Sequence, residues 1–384
     1  MEVITNEQLR NLIQTSKQPA VSIFMPTHKA GRDVRQDPVE LKNLLRSAEE
    51  KLTASGMRGT VARDLLEPAR LLVDDVEFWN RNEGGLAIYL APDFFQAYRV
   101  PIELEEQCVV NDRFEVKPLL PLLEGHRFYV LAVSDNDIRL LQCSPQSCCA
   151  VELPADVETS LKSAVRGGTD STPGANRYAG DASNPQHSAG AWHGQGEEIQ
   201  GELLEDHLFY YRQIDEGVRK VIQDEKDCVI LAAADSVAPF YKQASQLKNI
   251  CEEFIHGNAE HVANETLHQQ GCALMEPKWR SELNELQNQF GTAISHNLAS
   301  KDISDIIPAA SMGRVGILFV STGSTHWGKL TESNEVVEAD PSEPGVEDLI
   351  DRAAVETILT SGQVVVVKPE EMPGNGELAA IYRY

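Results

Sequence analysis

The sequence has no run approaching the roughly 20 consecutive apolar residues that a membrane span needs. Its opening, Met1-Glu2-Val3-Ile4-Thr5, lacks the basic and apolar regions of a secretory signal, so a cytoplasmic chain without membrane contact is expected. The seven cysteines, at 108, 143, 148, 149, 228, 251 and 272, include no C-x-x-C pair and are odd in number, which fits reduced thiols better than a disulfide framework. Positive charge is scarce: 34 Lys+Arg against 59 Asp+Glu leave −25, which excludes a protein that coats nucleic acid through overall charge, and no DNA partner is expected. There is no G-x-x-x-x-G-K-[ST] loop, no G-x-G-x-x-G between strand and helix and no G-x-S-x-G elbow, so nucleotide binding and serine hydrolysis have no anchor. His187, His193, His207, Glu197 and Glu198 show no ligand spacing that fixes a metal, so neither metal nor cofactor is expected.

What is present is ordinary globular composition, 42% hydrophobic and 24% charged. At 384 residues, two or three domains are the expectation. Residues 1–70 hold eleven Lys+Arg and nine Asp+Glu, a net +2 that leaves −27 for the rest, so the N-terminal part is the best candidate to meet a polyanion. Lys29, Arg32 and Arg35 lie there in a loop and are the expected RNA-facing cations. Thr331–Asp351 has eight acids and no base and reads as a solvated acidic loop.

Periodicity gives the elements. Ala20–Met25 reads as a strand ended by Pro26. Asp37-Pro38-Val39-Glu40 combines an N-cap acid, Pro in the first turn and Glu at the third position, starting a helix to about Ala54. A helix across 59–79 and strands at Gly85–Ala91, Ala97–Leu104 and Cys108–Val116 suggest helices over an antiparallel sheet. Pro118–Gly125 looks like a linker. Arg127–Val133 and Ile138–Leu141, joined by Ser134-Asp135-Asn136-Asp137, form a hairpin by pattern and turn chemistry. Gly167–Gly196 is thirty residues with almost no aliphatic side chain, in which no core can form; it is expected to be poorly ordered in the free protein. Glu197–Asp224 then has the 3.6-residue period of a long amphipathic helix. Val229–Ala233 is a buried-type strand followed by a helix over Ala238–Leu247. Helices near 277–298, 302–312 and 346–360 alternate with strands at Gly316–Ser321, Val364–Lys368 and Leu378–Tyr382. The fold class is therefore α/β, with expected domains at 1–122, 123–248 and 249–384.

The long loop ends in Gly190-Ala191-Trp192-His193-Gly194-Gln195-Gly196, just before the helix. A glutamine on a glycine-flanked backbone near helix-start N–H groups can hydrogen-bond a developing oxyanion and orient water without any titrating group. His193, Gly194 and Gln195 are the candidate catalytic residues.

This order of parts, the Gly-Gln before a long helix, and the stretch Ala309-Ala310-Ser311-Met312-Gly313-Arg314-Val315-Gly316-Ile317-Leu318-Phe319-Val320 together resemble archaeal and eukaryotic class-one peptide release factors and Pelota. More closely, the chain resembles their bacterial relatives, the bacterial archaeo-eukaryotic release factor family, which also include the hibernation factor Balon. Gly84–Tyr89, Lys117–Pro121 and Ala379–Tyr384 support the resemblance. It implies a three-domain architecture, a ribosome-associated factor that enters the A site for release, rescue or hibernation, contacts with rRNA and tRNA, and a translational GTPase partner. The last domain would be similar to kink-turn-binding ribosomal proteins. The family's Gly-Gly-Gln matches His193-Gly194-Gln195, with histidine in place of the first glycine; a Cβ restricts the backbone there, which sets peptidyl-tRNA ester hydrolysis in question. The decoding motifs Asn-Ile-Lys-Ser and Tyr-x-Cys-x-x-x-Phe are absent, so stop-codon reading is not implied. The alternatives are a metal-free peptidyl-tRNA hydrolase or tRNA-directed nuclease using Gln195 and His193, and a stress-linked interaction protein without catalysis.

Overall fold

The computed structural model describes residues 6–15, 17–28, 36–79, 84–123, 126–164, 195–222, 226–331, 333–341, 343 and 345–384. The chain is mixed α/β, as expected. Its N-terminal elements are α1 (Asn6–Gln14), β1 (Ala20–Thr27), α2 (Asp37–Ala54), α3 (Gly59–Val73), α4 (Val76–Trp79), β2 (Gly84–Ala91), β3 (Phe94–Val100) and β4 (Gln107–Asn111). The middle supplies β5 (Phe128–Val133), β6 (Ile138–Cys143), β7 (Cys148–Val151), α5 (Gln195–Val221), β8 (Cys228–Ala233), α6 (Ala238–Ala244), β9 (Ile255–His256) and α7 (Asn264–Ser295). The last part holds β10 (Ala299–Ser300), α8 (Ile303–Ser311), β11 (Val315–Ser321), β12 (Trp327–Leu330), β13 (Val336–Glu338), β14 (Glu347–Asp348), α9 (Leu349–Leu359), β15 (Gln363–Val367) and β16 (Leu378–Tyr382).

Two compact units result: Met1–Gly125 together with Ser281–Tyr384, and His126–Arg280. The units change after Gly125 and after Arg280, and the sheet of the intervening unit takes in β9.

In the discontinuous unit, the order β3-β2-β1-β4 is antiparallel throughout. Pro26 does not end β1. It sits opposite Gly85 of β2, while β4 reaches only Phe24, so the edge facing β4 asks for no N–H at Pro26. Alternation divides the sheet: Val21, Ile23 and Met25 face Leu41, Leu45, Leu66 and Ala69 of α2 and α3, whereas Phe24 and Tyr89 face Leu9, Phe114 and Val355. Val355 belongs to α9, so the two chain segments share one core. Gly85 is a close approach: an added Cβ would lie 2.6 Å from Ile102 O and 2.6 Å from Leu104 Cγ. Gly85→Val should cost about 1–3 kcal/mol, read as a lower urea midpoint at unchanged slope. The C-terminal sheet, β10-β16-β11-β15, is mixed, with α8 and α9 on one face.

The structure corrects several expectations. The supposed linker is a 3₁₀ helix, Lys117–Leu122, with Leu119 and Leu120 buried. The helix expected from 277 begins at Asn264 and carries Pro277 internally, its packing in two cores outweighing the lost N–H and the crowded carbonyl four residues earlier. The acidic run is a solvated segment only in part: its described residues over 333–345 are mostly exposed, but Asp348 caps α9 through its bond from Ile350 N, and Asp348 and Asp351 are each 2% exposed. Cys228 and Cys251 form a disulfide rather than two reduced thiols.

Candidate functional site

In the unit His126–Arg280, the sheet order is β7-β6-β5-β8-β9, with β5, β6 and β7 antiparallel and β5, β8 and β9 parallel. Tyr129, Leu131 and Val133 face α5 and α6, while Phe128, Val130 and Ala132 face the first half of α7. Gly271 permits that second contact, since a Cβ there would sit 2.8 Å from the Phe128 ring.

Gln195 is the first residue of α5, two residues earlier than the sequence pattern suggested. His193, Gly194 and most of the 167–196 loop lie outside the described residues, as do Lys29, Arg32 and Arg35. Sequence reasoning did not find what fixes the helix that Gln195 opens. Tyr210 is fully buried and its hydroxyl donates to Ser134 O at 3.3 Å and Thr159 O at 3.1 Å. His207 Nε2 lies 3.7 Å from Asp135 in the β5–β6 turn. The rings of Tyr210, Tyr211 and Tyr241 follow one another at 5.6 and 5.9 Å. Burial raises the Tyr210 phenol and pushes that of Tyr211 up to about 12, so both stay neutral donors. Farther along, Asp215 accepts from Ser245 Oγ and from Gln246 N at 2.9 Å, which ties α5 to the residues that follow α6. Lys220 bonds Asp156 at 2.8 Å, and that bond holds the Asp156 carboxyl below its usual range.

The fifteen residues from Gln195 to Tyr210 span about 22 Å of helix at 1.5 Å per residue. The anchorage is therefore remote from Gln195, whose N–H is among the four that a helix start leaves without intrahelical partners. The only sequence signal for the anchor was the aromatic pair Tyr210-Tyr211 on the apolar face.

The segment 29–35 has tied ends. Asp37, fully buried at the start of α2, accepts from His28 N at 3.0 Å and meets His28 Nδ1 at 2.7 Å. Among the described residues no three His, Cys, Asp or Glu side chains form a group that could hold a metal ion, and no helix is long and apolar enough to cross a membrane. Cys143, Cys148 and Cys272 pack against the face of the sheet that meets α7, and burial raises all three thiols.

The middle unit is thus a mixed sheet packed against a long helix that opens on Gln195. Residues 127–314 match the model of bacterial archaeo-eukaryotic release factor family 3, the family that the sequence resembles. None of the curated proteins matches the chain. Among solved structures, the archaeal translation termination factor aRF1 aligns at 13% identity over 99% of this chain and 99% of its own, with a TM-score of 0.24. Pelota of Archaeoglobus fulgidus aligns at 9% over 100% and 94%, with a TM-score of 0.31. Dom34 of S. cerevisiae aligns at 10% over 78% and 81%, with a TM-score of 0.36.

Proposed function

We propose that this chain is a cytoplasmic, ribosome-associated translation factor that enters the A site and occupies it without releasing peptide. The observation that carries the reading is the family match across 127–314, the stretch holding Gly194-Gln195 and the helix they open. His193 in place of the family's first glycine favours occupancy over hydrolysis, because a residue with a Cβ resists backbone angles that glycine tolerates. The chain is organised in three parts: 1–122 faces RNA through Lys29, Arg32 and Arg35; 123–248 presents His193-Gly194-Gln195; and 249–384, similar to kink-turn-binding ribosomal proteins, meets a translational GTPase. rRNA and tRNA are the surfaces it touches in the A site.

Sucrose gradients of growing and starved cells test occupancy, with the chain expected in the ribosomal fractions. Failure to cosediment in either condition overturns the reading. On purified ribosomes carrying peptidyl-tRNA, the wild type and Gln195→Ala are expected to bind equally and to release nothing. Release by the wild type that falls on the order of 10²–10³ in Gln195→Ala, the usual loss of one oxyanion stabiliser, would replace occupancy with catalysis. His193→Gly restores the family tripeptide; release by this variant alone would identify His193 as the residue that disarms the loop.

A further inference from the structure

In the discontinuous unit, the chain leaving β4 meets the start of α9 through charged groups, of which Glu115, Asp348 and Asp351 are almost wholly withdrawn from water. Asp351 Oδ1 accepts from Val116 N at 2.8 Å and Lys117 N at 2.7 Å. Lys117 Nζ pairs with Asp348 and donates to Ser324 O at 2.8 Å. Arg113 Nη2 lies 2.7 Å from Glu347 Oε2 and Nη1 3.9 Å from Glu356, while Arg352 also pairs with Glu347. Glu115 points into this group at 4% exposure, its N–H donating to Ser22 Oγ at 3.0 Å and its Oε1 meeting no hydrogen-bond donor. The buried Tyr89 hydroxyl, from β2, is likewise without a hydrogen-bond partner.

The charge count does not close. Among the described residues Glu115, Glu347, Asp348, Asp351 and Glu356 meet the cations Arg113, Lys117 and Arg352, while His326, whose backbone N–H donates to Asp348 at 3.1 Å, turns its ring to Glu338 at 3.7 Å and Glu377 at 3.5 Å, leaving two carboxylates of the group without a countercharge. An uncompensated carboxylate in such a place takes up a proton rather than bear the loss of hydration. We infer that Glu115 and Asp351 form a proton-holding clasp between the N-terminal sheet and helix α9, fastened when the pair retains a proton and loosened when both are ionised. It is a regulatory device: acidification tightens the junction of the two chain segments that build this unit.

Burial pushes the Asp351 carboxyl up to about 6, against the opposing pull of Arg113 and of the Val116 and Lys117 N–H groups. Burial raises Glu115 well above the usual carboxylate range, and the neighbouring charges of Asp351 and Asp348 raise it further. In the unfolded chain Asp351 would ionise near its ordinary value of 3.8. Between 3.8 and about 6 the folded state therefore holds a proton that the unfolded state has released. Stability falls as pH rises through that window and levels off above it. For Asp351 alone the change between pH 5 and pH 7 is about tenfold in the opening equilibrium.

Hydrogen exchange of the full-length chain, read at the Val116 and Lys117 amides and corrected for intrinsic rate, tests the clasp. Wild-type protection is expected to drop about tenfold or more from pH 5 to pH 7. Glu115→Gln keeps the shape and removes one charge, so its protection should exceed the wild type's at pH 7 and vary less with pH. Asp351→Asn keeps an acceptor for both N–H groups and should also flatten the profile. Equal pH dependence in Glu115→Gln and the wild type overturns the proposal, as does wild-type protection that rises or stays constant from pH 5 to pH 7. A purely structural role for Glu115 would lower protection at every pH without changing the slope.

Discussion

Replacing Tyr89 by phenylalanine should stabilise the discontinuous unit, and replacing it by alanine should cost about 3–5 kcal/mol. The two outcomes separate what the ring contributes from what the hydroxyl costs. Tyr89 is fully buried on β2, and its ring meets Phe24 at 5.9 Å, Phe114 at 5.2 Å and Tyr98 at 6.2 Å, all edge-on. Truncation removes one partner from three aromatic contacts and opens a cavity in the core that Val355 of α9 also enters. The hydroxyl contributes nothing comparable: it has no hydrogen-bond partner, and burial together with the Asp351 and Glu115 charges raises its pKa far above the ordinary phenol value. Removing it relieves a desolvation penalty of roughly 1–3 kcal/mol. Urea titrations of the two variants measure both effects. A lower midpoint for Tyr89→Phe would mean that the hydroxyl is satisfied.

Reversing the charge at Lys29, Arg32 and Arg35 together should abolish ribosome association at physiological salt. This expectation rests on the A-site reading. Each phosphate contact releases condensed counterions, so losing three should reduce the dependence of log K on log salt by about 2–3 and lower affinity by at least ~10² at about 0.15 M salt. Beyond residue 70 the chain carries a net −27, so its remaining cations sit in an acidic field that opposes compensation. The bonds from His28 to Asp37 that tie the ends of the segment should survive the substitutions, so unchanged melting would accompany the loss of binding. Ribosome binding that is unaltered across 50–300 mM salt would place the RNA-facing surface elsewhere.

Local signals were legible in the sequence and remote ones were not. Asp37-Pro38 announced α2 because a helix start is decided within one turn, and α2 runs from Asp37 to Ala54, but Gln36 takes the N-cap place and Asp37, expected there, turns its carboxylate to His28. Pro118–Gly125 looked like a linker because nothing nearby reveals that Leu120 packs with Ile306 and Ile307, nearly two hundred residues away in sequence. The first thirteen residues of α7 were missed for a related reason. That helix serves two cores, Leu267 and Met275 in one and Phe290 in another, and Pro277 between them resembles a helix start. The acidity of 331–351 hid Asp348 and Asp351, whose burial depends on Lys117 and on the backbone of 116–117. Of the candidate site, the long helix and its glutamine could be read directly, whereas the tyrosines that hold it depend on Ser134 and Thr159, which only the folded chain brings near.

The discontinuous unit also imposes an order on synthesis. Its first segment ends at Gly125 and its second begins at Ser281, so the ribosome must make residues 126–280 before the remainder is available. At about 5–20 residues per second, that interval lasts on the order of ten to thirty seconds. Throughout it, the face of the N-terminal sheet that will receive Val355 has no α9 to cover it, while the intervening unit has all of its own strands and can close first. The nascent N-terminal part thus keeps this apolar face uncovered until its second half emerges.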